Sequence, residues 1–533
     1  MPHVELGLPP VRLPLAIAET RKRQAIPISL ALTGVLAACA TSPSTVPGPT
    51  PENPLRGLDA YIERAVSDWG IAGLSVAVVA GDSVVFAEGY GVREVGRPEP
   101  VDENTLFAIG SNTKLFTAVA AGMMVDEGTM QWSDAATEHL PAFQLYDPYV
   151  SREITVRDLL SHRSGLGRRG DLLWYGTGYD RAEILRRVRF LEPNSSFRSE
   201  FGYQNIMFLA AGEAVAAAAG ESWDDVIEQR IFRPLGMTTS NTSTRQLPVD
   251  GNVATPHLYD DGELVPVAWH NIDNMAPAGS INSSALEMAQ WLRMLLGNGC
   301  YAGTELIEAA TLAEITSPQT LMPFAPDSLF PSTHFAAYGL GVAMRDYHGA
   351  QVLSHTGGID GMLSLVALIP QRQAGMVILT NTEGHNNLFS ALMYRIADAY
   401  LGAPTRDWSA IFLARLEQAK ARTEAARAAA AETRVTGTTP SLTLEGYAGT
   451  YENEMYGNAT VTLENGALFA RFGEAFAAEL KHWHYDTFRA TWPDARLGAN
   501  FVTFKLDAMG KVSEMRIQEV ADFDRAADDP AAP

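Results

Sequence analysis

Two clusters of strand-like sequence stand at opposite ends of a long helical stretch, and any fold for this chain must bring them together. Residues 74–79 and 83–87, joined by Ala80-Gly81-Asp82, read as a β-hairpin. Residues 351–356, 364–369 and 375–379 are β-branched or apolar, and each is bounded by Gly, Pro or Asn. Between the clusters, apolar residues recur at three- and four-residue spacing over 114–127, 156–162, 181–191, 206–219, 223–232 and 284–296, the pattern of helices with one buried face. The last of these opens with Ser283-Ser284 and Glu287, a capping-box signature. A further helix over 386–401 follows the late strands. The simplest packing is α+β: one antiparallel sheet built from both chain ends, flanked by helices and carrying an inserted helical region, with the active site between the halves.

Beyond this region the chain changes character. Residues 407–434 are charged and alanine-rich, with Trp408, Ile411, Phe412 and Leu416 on one face, and read as a connecting helix within a linker over 403–440. Short strands then recur, separated by turns such as Asn465-Gly466 and Met509-Gly510. They predict a small antiparallel β-barrel over 441–525, its interior filled by Trp483, Tyr485, Phe488 and Trp492, and a disordered tail over 526–533.

At the other end, Arg21-Lys22-Arg23 precedes an apolar run over 26–38 that closes on Leu36-Ala37-Ala38-Cys39. A charged segment, a short apolar segment and a small-residue cleavage site make a signal peptide over 1–38, too short to span a bilayer. Its last four residues resemble the bacterial lipobox, which implies cleavage before Cys39, acylation of that thiol, and export to the periplasm or cell envelope on a lipid anchor. Residues 1–20 fit such a signal awkwardly, and a mis-assigned start codon would account for them. Residues 39–54, rich in Ser, Thr and Pro, read as a flexible tether. Cys300 follows Gly297-Asn298-Gly299 and reads as structural or incidental. The net charge of -22 repels phosphate backbones, so nucleic acid is not expected as a partner.

The chemistry is written in one lysine. The chain holds six, yet the stretch from residue 24 to 419 uses arginine freely and contains only Lys114. Arginine cannot give up its proton, whereas a desolvated lysine can. Lys114 closes Ser111-Asn112-Thr113-Lys114 at the start of a helical pattern, so both side chains share one face, and the helix N-terminus favours developing negative charge. Taken alone, Ser111 could be a helix cap and Lys114 a solvated first-turn residue.

Two further motifs stand with it. In Tyr203-Gln204-Asn205 an extended loop would project the phenol and the amide to one side, and a phenol beside an ammonium can lose its proton near neutrality. His355-Thr356-Gly357-Gly358 ends a strand, with glycines where a substrate must approach the backbone. The N-H groups of Ser111 and Gly358 could form an oxyanion hole. No Gly-x-Ser-x-Gly elbow, His-Glu-x-x-His or P-loop is present.

The order Ser111-x-x-Lys114, Tyr203-x-Asn205, His355-Thr356-Gly357 resembles the penicillin-recognising serine hydrolases: class C beta-lactamases, D-alanyl-D-alanine peptidases, D-aminopeptidases and related esterases. Residues 159–166, Leu-Leu-Ser-His-Arg-Ser-Gly-Leu, also resemble a stretch common there, and residues 447–516 are similar to a lipocalin-like module appended in bacterial members. The resemblance implies a beta-lactamase/transpeptidase-like domain over 55–402. Within it Ser111 is acylated, Lys114 and Tyr203 share the proton transfers, Asn205 orients the substrate amide, and His355, Thr356 and Gly357 hold its far end. Neither metal nor organic cofactor is needed. His355 departs from the lysine of classical beta-lactamases, which favours a small ester or a D-amino-acid amide or peptide over a beta-lactam. The alternatives are a true beta-lactamase and a catalytically silent protein that binds peptidoglycan fragments.

Overall fold

Residues 73–80 read Gly-Leu-Ser-Val-Ala-Val-Val-Ala, apolar on both faces, so this strand needs cover on both sides. It finds that cover in a computed structural model that describes residues 53–527, except 261, 385, 433, 474 and 494–496. The signal, Cys39, most of the tether and the end of the tail lie outside the described residues.

The strands β1 (Gly73–Ala80), β2 (Ser83–Gly91), β3 (Thr320–Leu321), β4 (Ala336–Tyr338), β5 (Ala343–Tyr347), β6 (Ala350–Ile359), β7 (Met362–Ile369) and β8 (Ala374–Thr380) form one sheet. Its order is β2-β1-β8-β7-β6-β5-β4-β3, and every pairing is antiparallel. The two strand clusters therefore meet at β1 and β8, where Val76 faces Ile378 and Ala77 faces Val377. β3, β4 and β5 escaped the sequence reading because they are short and Gly339 and Gly341 interrupt the alternation.

The principal helices are α1 (Leu58–Trp69), α2 (Thr113–Asp126), α3 (Asn205–Ala219), α4 (Ala285–Leu296), α5 (Leu388–Leu401) and α6 (Trp408–Glu432). One face of the sheet packs Val76, Val78, Leu365 and Ile378 against Ile62 of α1 and Leu392 and Ile396 of α5. The other packs Ala77, Val79, Val377 and Leu379 against α4, and beyond it lies the helical region built on α2 and α3. α2 is buried on all sides from Thr113 to Met124, as befits a helix at the centre of a domain. Ser284 caps α4 by accepting from the Glu287 N-H at 3.2 Å. Glu287 does not reach back to close the box; its carboxylate instead accepts from the backbone N-H groups of Thr239 and Ser240. The helix expected over 156–162 stops at Leu159, and His162 turns the chain with φ of 54°.

The start of α6 is core rather than linker. Trp408 is fully buried, stacks on Phe330 at 5.6 Å, and donates from Nε1 to Asp398, which also accepts from the Tyr347 hydroxyl.

The C-terminal strands β9 (Gly449–Asn453), β10 (Gly457–Glu464), β11 (Ala467–Phe472), β12 (Phe476–His484), β13 (Thr487–Thr491), β14 (Ala499–Leu506), β15 (Val512–Ile517) and β16 (Ala521–Arg525) close into a barrel. β16 was not foreseen: it is short and charged, and of its residues only Phe523 is buried. Phe488 and Trp492 do fill the interior, together with Tyr447, Tyr451, Phe472, Phe476 and Phe504. Trp483 and Tyr485 do not. Trp483 shares the outward parity of Glu479 and Lys481 and lies under the Arg434 guanidinium, and Tyr485 sits in a turn with φ of 46°.

Candidate active site

Gly110, Ser111 and Asn112 form a single 3-10 turn that leads into α2. Gly110 has φ of 52°, and a Cβ there would stand 2.7 Å from Gly358 N. A Cβ on Gly357 would stand 1.9 Å from Ile109 O, so no side chain fits at that position. Ser364 on β7, opposite Gly357, donates to Ile109 O at 2.6 Å and accepts from Asn112 Nδ2 at 2.7 Å. Glycine, serine and asparagine together press the Ser111 turn onto the end of β6 and bring the backbone of Ser111 beside that of Gly358.

Lys114, the second residue of α2, has no exposed surface. Its Nζ lies 2.9 Å from Ser111 Oγ, 2.7 Å from Asn205 Oδ1 and 2.8 Å from Ala278 O. Burial holds its pKa well below the usual 10.5, aided by the Arg168 cation and opposed by the Asp171 carboxylate. The three contacts fit a neutral amine: two hydrogens go to the two carbonyl oxygens, and the lone pair is left for the serine hydroxyl.

Tyr203 donates to Ser111 Oγ at 2.8 Å. The sequence reading had this phenol losing its proton near neutrality; burial instead pushes it up to about 12, so it remains a donor. The lysine beside it is not the ammonium that would have lowered it. Asn205 is the first residue of α3 rather than part of a loop, and Gln204 caps that helix by accepting from the Ile206 N-H. The Asn205 amide is oriented by Asp171, whose Oδ1 accepts from Asn205 Nδ2 at 3.1 Å and from Trp174 Nε1 at 3.1 Å. The 203–205 backbone is held in turn by His162, whose Nδ1 accepts from the Gln204 N-H at 3.1 Å.

His355 is where the structure departs furthest from expectation. Burial presses its pKa down to about 3, so it is neutral. Tyr338, whose phenol burial holds well above 10, donates to His355 Nε2 at 2.9 Å; Nδ1 therefore carries the hydrogen and donates to Thr356 O at 2.6 Å. Both ring nitrogens are thus engaged within the protein, and His355 offers no charge to the far end of a substrate. His355, Thr356 and Gly358 all line the cleft.

The cleft has a volume of about 360 Å³ and runs past Ser111, Tyr203 and Asn205 to a wall formed by Asp171, Trp174 and Tyr175. Arg168 lies on its rim, 4.4 Å from the centre of the Tyr203 ring. All the side chains of the Ser-x-x-Lys and Tyr-x-Asn motifs meet here. Missing from the sequence reading are the Ala278 carbonyl, which no residue identity announces, and Asp171, whose signal was only a charged loop, Arg168-Arg169-Gly170-Asp171. Among the described residues no group of His, Cys, Asp and Glu is placed to hold a metal ion.

Comparison with known proteins fits this geometry. The model of a family described as Beta-lactamase matches residues 58–401, and that of a Domain of unknown function (DUF3471) matches 433–530. The chain is 29% identical over 484 residues to an unguisins hydrolase, ungD, of Aspergillus violaceofuscus (strain CBS 115571), covering 83% of this chain and 85% of that one. It is 25% identical over 370 residues to the D-alanyl-D-alanine-carboxypeptidase/endopeptidase AmpH of Escherichia coli (strain K12), covering 66% and 90%. In fold it is similar to the octameric penicillin-binding protein homologue from Pyrococcus abyssi, with a TM-score of 0.60 at 20% identity over 88% of this chain and 99% of that one.

The site predicts how Lys114 titrates. In protein labelled with ¹⁵N-lysine, the Lys114 Nζ resonance should change with a midpoint well below 10.5, and Asp171→Asn, which removes an attractive anion, should lower it further. A midpoint at or above 10.5 would mean that the amine is solvated.

Proposed function

The chain belongs to the beta-lactamase family and is a serine hydrolase of that family; from that premise we propose that it cleaves small esters and D-amino-acid amides or peptides through an acyl-enzyme on Ser111. The observation that carries the reading is the fully buried Lys114 amine 2.9 Å from the Ser111 hydroxyl, its pKa held well below 10.5 by burial.

As Ser111 Oγ attacks the substrate carbonyl, its proton passes to the Lys114 lone pair, and the N-H groups of Ser111 and Gly358 receive the developing oxyanion. Tyr203 keeps its proton through this step, because its pKa is raised to about 12, and supplies it to the leaving oxygen or nitrogen. Asn205 presents its amide to the substrate while its Oδ1 holds the lysine hydrogens in place. Water then enters where the leaving group departed, and the same groups act in reverse to free Ser111.

The substrate class follows from charge. With His355 neutral and internally bonded, the strand end carries no fixed cation for a beta-lactam carboxylate. The names of the two relatives, a hydrolase of unguisins and a D-alanyl-D-alanine peptidase, support amide or peptide substrates. We also place the protein in the cell envelope, anchored through acylated Cys39, on the strength of the charged, apolar and small-residue run over 21–39. Cys39→Ala should then move the protein from the membrane to the soluble fraction, and a chain that stays with the membrane would refute the anchor.

For the activity, wild type and Ser111→Ala are compared on p-nitrophenyl esters, D-amino-acid amides and nitrocefin. Ser111→Ala should abolish turnover of the esters and amides, and Tyr203→Phe should lower kcat by about 10²–10⁴-fold. Nitrocefin hydrolysed as fast as the best ester would make the protein a beta-lactamase. Turnover that survives in Ser111→Ala, or a wild type inert to every substrate and to a fluorophosphonate probe, would end the proposal.

A further inference from the structure

One wall of the cleft that Ser111 lines is braced by the C-terminal barrel. Trp174 and Tyr175 line the cleft, and the next residue, Gly176, lies against Phe476 and Ala475 of the barrel. Gly176 O accepts from the Ala475 N-H at 3.3 Å. A Cβ on Gly176 would meet Phe476 Cε2 at 2.5 Å, and one on Gly473 would meet Gly176 O at 2.3 Å, so the wall and the turn between β11 and β12 touch with no room for a methyl group. A second turn, between β9 and β10, takes the other end of the segment: Tyr179 donates to Tyr456 O at 3.0 Å, and Arg187 donates to Glu454 O and Met455 O at 3.0 and 3.1 Å. The Arg187 guanidinium also lies 4.3 Å from the centre of the Tyr179 ring.

The brace is stiff. Phe476 stacks on Phe472 at 4.2 Å and meets Trp492 edge-on at 5.1 Å inside a filled barrel. On the cleft side, Asn274 Nδ2 ties Trp174 O and Tyr179 O together at 3.0 Å each, so the segment between them is held at both ends. Trp174 and Tyr175 project from this segment, with Trp174 bonded to Asp171 and Tyr175 bonded to Asp360. Ser111, Lys114 and Tyr203 are positioned without any barrel residue.

We propose that the C-terminal barrel determines which substrates the cleft accepts, by fixing the Trp174-Tyr175 wall at a set distance from Ser111 and so excluding large acyl groups. The inference rests on the hydrolase reading above. A barrel that clamps the wall changes the room available for the acyl group and leaves the attack at Ser111 as it is.

The test uses the full-length chain. Gly176→Ala wedges the wall and barrel apart, and the double variant Tyr179→Phe/Arg187→Ala removes the second set of contacts without touching the barrel interior. Each is assayed with p-nitrophenyl acetate and p-nitrophenyl octanoate, and its Tm is recorded to identify any variant that fails to fold. Activity on acetate should stay near wild type, and the ratio of kcat/KM for octanoate to that for acetate should rise about tenfold, mainly through KM. A ratio unchanged or reduced in the folded variants overturns the proposal, as does an equal loss on both esters, which marks a structural role alone. Absence of turnover in the wild type would instead refute the hydrolase reading itself.

Discussion

Removal of water from one amine is the constraint around which this domain is organised. A lysine in a dry interior is costly as a cation, and that cost draws the Lys114 pKa well below 10.5. The unfolded chain would protonate the same amine, so its burial subtracts from stability at neutral pH, and stability should recover as pH rises from the folded midpoint toward 10.5. The fold accepts this loss at one position and supplies acceptors for the amine hydrogens in the Asn205 amide oxygen and the Ala278 carbonyl, with the rings of Tyr203 and Phe208 beside them.

The other groups take their protonation states from the same dry crevice. Desolvation raises the phenols of Tyr203 and Tyr338 and lowers the imidazoles of His162 and His355, so four groups that could carry charge are neutral together. Charge is confined to the edge, where Asp171 and Arg168 act on Lys114 with opposite sign. Such a site holds its base and its proton donor ready before substrate arrives, and it leaves the strand end at His355 without the cation that a carboxylate-bearing ligand would seek.

Much of this could be read from the amino acids, because the chemistry needs rare residues in fixed spacing. The single lysine in a long arginine-using stretch pointed to Ser111, and the strand clusters at 74–87 and 351–379 announced the sheet. What escaped was whatever depends on backbone or on distance through space. The Ala278 carbonyl has no side-chain signature, and Asp171 gains its role only when the fold brings it to Asn205. The states of Tyr203 and His355 could not be judged from the pKa values of free side chains, since both depend on burial. Trp408 looked like one face of a connecting helix because nothing local shows that Phe330 and Tyr394 wait for it. The short strands β3, β4 and β5 exist by pairing with longer neighbours rather than by their own pattern.

The barrel extends the same logic from chemistry to shape, since its packed aromatic interior bears on the cleft wall and not on the reacting groups. The measurement that bears most directly on the whole account is the rate of Ser111 acylation, followed by intact mass across a pH series in wild type and Lys114→Arg. A neutral lysine acting as base predicts a wild-type rate that falls as pH drops through a midpoint well below 10.5, and no acyl-enzyme at any pH in Lys114→Arg, whose guanidinium cannot accept the proton. Acylation of Lys114→Arg at a rate close to wild type would contradict it.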